Sequence, residues 1–428
     1  MTWNFSTTAS LAIFAATYVL ISLQKIRFLN LDRPSAALGG AVLMVTCGAL
    51  SMEKALACVN LETLLLLFGM MTVVAYLKLA GFFEWISTWI LLKAGTPRRL
   101  LWLLIATSGA LSALFVNDTI CVLFTPILLE AVIKAKLNPA PYLIALVTSA
   151  NIGSAATLTG NPQNMLVGIH SQIAFGRFFL LSAPIAAVGL VLCGLTILWI
   201  YRGRLGDQFT RNGLALPAVD LPLLRRVVAV VAVVLVLFLL PLHRWIPGIE
   251  AGKNLAFGAA VGALLVVLIG KHTPGKAFAH VDWPLLLFFG CLFVVVGGVR
   301  ETKLLGAMHQ GVAPWFGTTA ASQATVMTGF SVVMSNVVSN VPFVLVAKEW
   351  MTGFADPELM WVVVAMSSTF AGNLTIVGSV ANMIVMELSK DRARVGFLEY
   401  LKVGLPLTIL TTGVGLAMLL GMHAMKWI

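Results

Sequence analysis

Charge is what this chain of 428 residues has least of: Asp, Glu, Lys and Arg together make up 11% of it. Soluble domains carry about a quarter, so too few charged side chains are present to coat a water-facing surface. Cysteine is scarce as well. The five present (Cys47, Cys58, Cys121, Cys193 and Cys291) show no CxxC pair and no regular spacing, which excludes a disulfide framework and a zinc site. HExxH, GxSxG and phosphate-loop runs are missing, and GKHTPGK (270–276) lacks phosphate-loop spacing, so neither an enzyme nor an ATP-driven machine is indicated. No cofactor and no metal are expected. No Lys or Arg precedes the first apolar run, whereas Lys25 and Arg27 follow it, the reverse of a cleavable signal's order.

What is abundant is apolar surface. Hydrophobic residues make up 59% of the chain and the mean hydropathy is +0.97, the composition of a protein whose solvent is lipid. Apolar runs fall at roughly 8–24, 35–52, 61–79, 140–170, 177–201, 223–243, 252–270, 283–300, 357–388 and 400–424. Two further stretches, 99–135 and 318–350, are long and broken near the middle by polar residues. They read as re-entrant hairpins. The runs at 82–93 and 303–317 are too short to span and carry Trp, which suits helices lying in the interface. The expected fold class is therefore an all-α polytopic membrane protein with about ten transmembrane helices and two hairpins.

The net charge of +11 could suggest nucleic acid, but the basic residues are scattered through short loops. Loop placement explains them, and no nucleic-acid partner is expected. With the spans above, most of the Lys and Arg residues fall on one side, including Lys25, Arg27, Arg33, Arg98, Arg99, Lys134, Lys136, Arg202, Arg204, Arg225, Arg226, Lys390, Arg392 and Arg394. The positive-inside rule makes that side cytoplasmic. The expected location is the inner membrane of a bacterial or archaeal cell, with both termini periplasmic.

The chain also repeats itself. LETLLLLFGMMTVVAYL (61–77) resembles DWPLLLFFGCLFVVVGG (282–298), and IGSAATLTGNPQNMLV (152–167) resembles FAGNLTIVGSVANMIV (370–385). FVNDTICVLFTP (115–126) loosely matches VSNVPFVLVA (338–347), with Asn117 opposite Asn340. Residues 1–210 and 211–428 are read as two repeats of five spans each. An odd number of spans requires the second repeat to be inverted, the pattern of secondary transporters that bind substrate at the midplane. A passive channel built from paired half-helices is the rival class. Two breaks per half and a buried acid favour coupled transport.

Asp118 is the only charged residue between Arg99 and Glu130, at the first hairpin tip between Asn117 and Thr119. A carboxylate at that depth costs about 2.5–3.5 kcal/mol. It could ligate Na⁺, exchange a proton, or cap the helix through the N–H groups of residues 120–121. Downstream, Gly153 and Gly160 permit unwinding, Asn161 is placed as an N-cap and Pro162 opens the next helix. In the second half Gly372 and Asn373 unwind the chain and Ser379 caps the restart, while Ser335, Asn336, Ser339 and Asn340 precede Pro342 at the second tip. Four half-helix N-termini then converge, each attractive to an anion or a strong hydrogen-bond acceptor. No Arg or Lys lies in the tips, which favours a small or weakly charged substrate. Asn117 and Asn340 should approach within about 20 Å, two helix diameters. The expected substrate-binding set is Asn117, Thr119, Thr157, Asn161, Asn164, Asn340, Thr375, Ser379 and Asn382. Coupling-ion ligands are expected among Asp118, Asn117, Gly153, Ser154, Ser339, Asn340, Gly372 and Asn373.

At these residues the chain resembles the ion transporter superfamily, which includes arsenite permeases, citrate and dicarboxylate carriers and sodium/proton antiporters. The resemblance covers nearly the whole chain and implies a scaffold domain with a moving transport domain. Dicarboxylate carriers have Ser-Asn-Thr at both tips and a Gly-Thr-Pro-Pro-Asn-like run at both breaks. Here the tips read Val116-Asn117-Asp118 and Ser339-Asn340-Val341, and the breaks read Gly160-Asn161-Pro162-Gln163-Asn164 and Gly378-Ser379-Val380-Ala381-Asn382. An Asn-Asp tip followed by LFTPILLE is similar to the arsenite permeases. The resemblance implies proton-coupled export of arsenite or antimonite, with an H⁺- or Na⁺-coupled anion carrier and a Na⁺/H⁺ antiporter as alternatives. The partners it implies are a small anion, the coupling ion and the lipid bilayer, and it is compatible with a homodimer and a separate ATPase subunit. Cys121, one turn beyond Asn117, reads as a small apolar filler.

Overall fold

The computed structural model describes residues 5–23, 32–205, 215–250, 253–302 and 304–428. Lys25, Arg27, Asn212, Lys303 and Met1, which bear on the expected topology, lie outside the described residues. Among the described residues the regular structure is entirely helical. The first part of the chain contributes α1 (Phe5–Leu23), α2 (Arg33–Thr46), α3 (Met52–Cys58), α4 (Leu61–Leu79), α5 (Phe82–Ala94), α6 (Pro97–Leu114), α7 (Asn117–Lys134), α8 (Pro139–Ser154), α9 (Pro162–Ser171) and α10 (Phe175–Ile200). The remainder forms α11 (Leu221–Leu239), α12 (Asn254–Ile269), α13 (Pro274–Phe278), α14 (Trp283–Glu301), α15 (Leu304–Phe316), α16 (Ala320–Val338), α17 (Asn340–Ala347), α18 (Pro357–Ala371), α19 (Val380–Ser389) and α20 (Phe397–Ala424).

Helix starts follow one local rule. Thr96, Asn138, Asn161 and Asp356 each accept a backbone N–H at the N-cap, and each is followed by proline at the first helical position. The missing proline N–H would have had no partner there in any case.

The protein is a polytopic all-α membrane protein. Five of its described helices, α4, α10, α11, α14 and α20, are long and apolar enough to cross a membrane alone. Its outer face carries exposed Leu195, Val228, Val236, Leu239, Leu264, Leu268 and Ile409. Its interior holds buried Asn117, Asn151, Asn161, Asn164, Asn373 and Asn382. Apolar outside and polar inside is the arrangement that lipid imposes, because buried polar groups must find partners within the protein.

The interrupted stretches frame the interior. α6 and α7 form one helix pair, α16 and α17 another, and α8–α9 and α18–α19 are each two helices separated by non-α-helical backbone. α6 packs on α8, and α16 on α18, while α10 and α20 each lie against the broken stretch of their own half. Every residue of α8 from Ala140 to Ser154 is buried. The second pair is the shorter: α17 runs for 8 residues before a 3₁₀ turn at Lys348–Gly353.

Two sequence expectations are refined here. The sequence allows unwinding at Gly153, with a helix over 140–156, and this residue sits inside α8, which ends at Ser154. A Cβ there would collide with the backbone of Gly109 in α6, so the residue serves close helix approach. The span expected at 35–52 ends at Thr46, where Gly48 turns the chain at φ +68°. α2 is thus 14 residues long, about 21 Å at ~1.5 Å per residue, against a hydrocarbon core of about 30 Å.

Candidate functional site

At the first tip, α6 ends at Leu114 and α7 begins at Asn117, with Val116 at the N-cap making no side-chain cap bond. Asp118 therefore does not cap its own helix. The Asn117 N–H instead donates to Gly160 O (3.0 Å) and its amide donates to Asn151 Oδ1 (2.9 Å). At the second tip Ser339 stands at φ +75°, ψ 156°, a region that side-chain-bearing residues seldom occupy. With the Asn340 amide oriented by its surroundings, its nitrogen donates to Ser368 O (3.3 Å) and Gly378 O (3.2 Å). Both tips are thus fastened to a break.

The breaks are fastened in matching ways. Asn161 Oδ1 accepts the Asn164 N–H (2.8 Å) and Asn161 Nδ2 donates to Ser154 Oγ (2.8 Å). Asn164 Nδ2 donates to Ser154 O (3.3 Å) and Thr157 O (2.9 Å). Asn382 Nδ2 donates to the equivalent carbonyls, Gly372 O (2.7 Å) and Thr375 O (2.8 Å). An unwound backbone leaves carbonyls that lipid cannot satisfy, and these two asparagines satisfy them. The Thr157 hydroxyl donates to Ala113 O (2.5 Å) and that of Thr375 to Asn336 Oδ1 (3.0 Å). Both bonds run toward the hairpins. Ser379 holds the N-cap position of α19 but makes no cap bond. Its hydroxyl meets Asn151 Oδ1 (3.2 Å).

Two residues that sequence reasoning passed over knit the halves together. Asn151 Nδ2 donates to Asn373 Oδ1 (2.9 Å) and Asn382 Oδ1 (3.0 Å). Thr369 Oγ1 accepts from Asn161 Nδ2 and Gln163 Nε2 (both 3.3 Å) and donates to Asn164 Oδ1 (3.4 Å).

In front of this network lies a cavity of about 40 Å³. Its wall includes the first residues of four helices: Asn117 and Asp118 of α7, Pro162 and Gln163 of α9, Asn340 and Val341 of α17, and Val380 of α19. Ser339, Ser379, Leu285, Phe288, Phe289 and Arg33 complete it. Asn117 and Asn340 therefore share one small chamber. Of the expected residues, Asn117, Asp118, Ser339, Asn340 and Ser379 line it, whereas Thr157, Asn161, Asn164, Gly153, Ser154, Gly372, Asn373, Thr375 and Asn382 stand outside its lining. Cys121 is buried and stands outside the lining of this chamber. Arg33, placed by sequence in a cytoplasmic loop, is the largest departure. It opens the short helix α2 at the depth of the tips.

A second cavity of about 190 Å³ adjoins the first through Asp118 and Leu285, and Thr119, Lys78, His280 and Asp282 line it. Lys78 Nζ stands 3.2 Å from His280 Nδ1 at its rim. A third, of about 20 Å³, is lined by Phe293, Val296, Gly297 and Arg300 with Lys348 and Glu349. One face of α14 thus passes all three in turn. Among the described residues no group of three or more His, Cys, Asp or Glu side chains could hold a metal ion.

The chain matches a family model described as a citrate transporter (CitMHS) over residues 18–366. It is 29% identical to the silicon efflux transporter LSI3 of Oryza sativa subsp. japonica, covering 95% of this chain and 96% of that one. A 46 kDa membrane protein of Mycobacterium leprae is 28% identical over 94% of this chain and 95% of its own. The putative transporter arsB of Dictyostelium discoideum is 26% identical, covering 92% and 89%. The solved structure of the Alcanivorax borkumensis YdaH transporter superposes with a TM-score of 0.58 at 14% identity, covering 99% of both chains.

Proposed function

The chain belongs to the citrate transporter family, within the ion transporter superfamily, and we propose that it is a secondary active carrier exporting a small oxyanion or oxyacid of the arsenite class against protons. The observation that carries this reading is the chamber where Asp118 meets four helix N-termini. At about 40 Å³ it has room for three or four waters, at about 10–15 Å³ each. Arsenite is that size; citrate is several times larger. Relatives named for silicon efflux and for arsB point to the same class of small hydroxylated substrate.

Asp118 is the proposed coupling group, since it fronts both the chamber and the wider cavity. A proton and the substrate would use its carboxylate in turn. The matched bonds of the two breaks support two inverted repeats, with 99–135 and 318–350 as re-entrant hairpins in an inner membrane. The wide cavity with Lys78 and His280 then faces the cytoplasm, and both termini are periplasmic. A Na⁺- or H⁺-coupled carboxylate carrier is the second reading, favoured by the family's description. It requires the chamber to enlarge on binding.

Reconstitution into vesicles, comparing arsenite and citrate under imposed pH and Na⁺ gradients, tests the proposal. Arsenite accumulation driven by a pH gradient is the expected result. Movement of citrate alone would overturn it.

A further inference from the structure

Arg33 has no role in the reading above, yet its position calls for one. It is the first residue of α2, after the N-cap Asp32, whose side chain accepts the Ser35 N–H (2.9 Å). Asp32 is exposed and turned to its own helix, and no ion pair ties it to Arg33. The Arg33 Nε is buried without a hydrogen-bond partner. Arg33 and Asp118 line the same chamber and feel each other electrostatically, but no hydrogen bond or ion pair joins the two side chains. The space between them is the chamber itself. Asn117 Oδ1, an acceptor, is a second buried polar atom there without a partner.

We propose that Arg33 is a substrate-binding residue and forms with Asp118 a two-ended clamp for a small oxyacid whose hydroxyl groups can accept a hydrogen bond at one end and donate one at the other. The guanidinium donates N–H bonds to an oxygen of the substrate, and the Asp118 carboxylate accepts one of its O–H groups. The inference rests on the exchange reading above and narrows its substrate class. The clamp is neutral overall, so an uncharged oxyacid enters without adding charge. A doubly deprotonated carboxylate offers oxygens to Arg33 but has no carboxyl hydrogen for Asp118, and it sets like charges side by side. A proton on Asp118 turns one carboxylate oxygen into a donor and leaves the other a weaker, neutral acceptor for the substrate's hydroxyl, so protonation and substrate binding oppose each other at the same atoms. The other groups facing Asp118 are Asp282 ahead of α14, Lys78 of α4, His280, Cys121 on α7 and the Ala381 N–H of α19.

Two measurements on purified full-length protein test the clamp. In thermal unfolding without substrate, Arg33→Gln should lower the midpoint by leaving Asp118 uncompensated, and Arg33→Gln with Asp118→Asn should recover most of the loss. In binding assays with arsenite, orthosilicic acid and succinate as probes, Arg33→Gln should weaken oxyacid binding by about tenfold or more, the worth of one charge-assisted hydrogen bond. Arg33→Lys, the milder variant should Arg33→Gln fail to fold, should keep part of the affinity. Wild-type affinity for arsenite in Arg33→Gln overturns the clamp and leaves arsenite export standing. Arg33-dependent binding of orthosilicic acid without arsenite binding supports the clamp and removes arsenite. Succinate as the only ligand, or no recovery in the double variant, overturns the clamp.

Discussion

Asn151 and Thr369 hold corresponding places in the two halves of the chain, and each reaches across to grip the break of the other half. Asn151 bonds Asn373, Ser379 and Asn382, and Thr369 bonds Asn161, Gln163 and Asn164. The seam between the halves is a polar lattice inside an apolar protein, where each buried group left unpaired costs about 1–3 kcal/mol.

Asn151→Ala should therefore destabilise by about 3 kcal/mol or more, because several buried partners lose a bond at once. Thr369→Val should cost less, and Thr369→Ser should stay close to wild type. Unfolding midpoints in detergent would check the ranking.

Asp118→Asn keeps the shape of the side chain but cannot titrate. The variant should insert normally and exchange substrate across the membrane with weakened affinity, since its amide oxygen is a neutral acceptor, yet fail to concentrate it against a gradient. Full gradient-driven transport by this variant in vesicles would rule the coupling role out.

Ser339→Gly should raise stability by about 1 kcal/mol, since glycine adopts the φ of +75° without strain. Ser339→Val should lower it by more, as a β-branched residue is least suited to that region.

Gly153→Ala places a methyl group against the Gly109 backbone. Backbone cannot yield as a side-chain tip can, so a loss of about 1–3 kcal/mol is expected. Gly109→Ala meets Leu190 side-chain atoms instead and should cost less. Paired unfolding curves would show the difference.

A cysteine at Lys276 should resist a membrane-impermeant maleimide in intact cells and react after permeabilisation. Labelling from outside would invert the proposed orientation.

The breaks and tips were legible because their signals are local: Gly, Asn and Pro clustered within an apolar run interrupt a helix wherever the run folds. The Asn161–Pro162 restart follows from two adjacent letters. Asn151 and Thr369 were not legible, since a single polar residue within an apolar helix commonly bonds to its own backbone, and their true partners lie more than two hundred residues away. The repeat offset held the missing signal: carried from Asn151 into the second half, it lands on Thr369. Arg33 was missed for a different reason. Counting basic residues by side treats each as a loop residue, and the short helix that carries this one inward could not be measured from an apolar run that continues past Gly48.

The α14 face that passes all three cavities is charged at its two ends, Asp282 and Arg300, and aromatic between them at Phe288, Phe289 and Phe293. The rings between the small polar chambers resist a continuous file of water, and without one a proton would not hop from one end to the other. On the proposed reading the route would insulate except where cargo bridges it, and an ion gradient would not run down through an idle protein. Replacing these rings with small polar side chains would short-circuit the membrane before it impaired the grip on substrate.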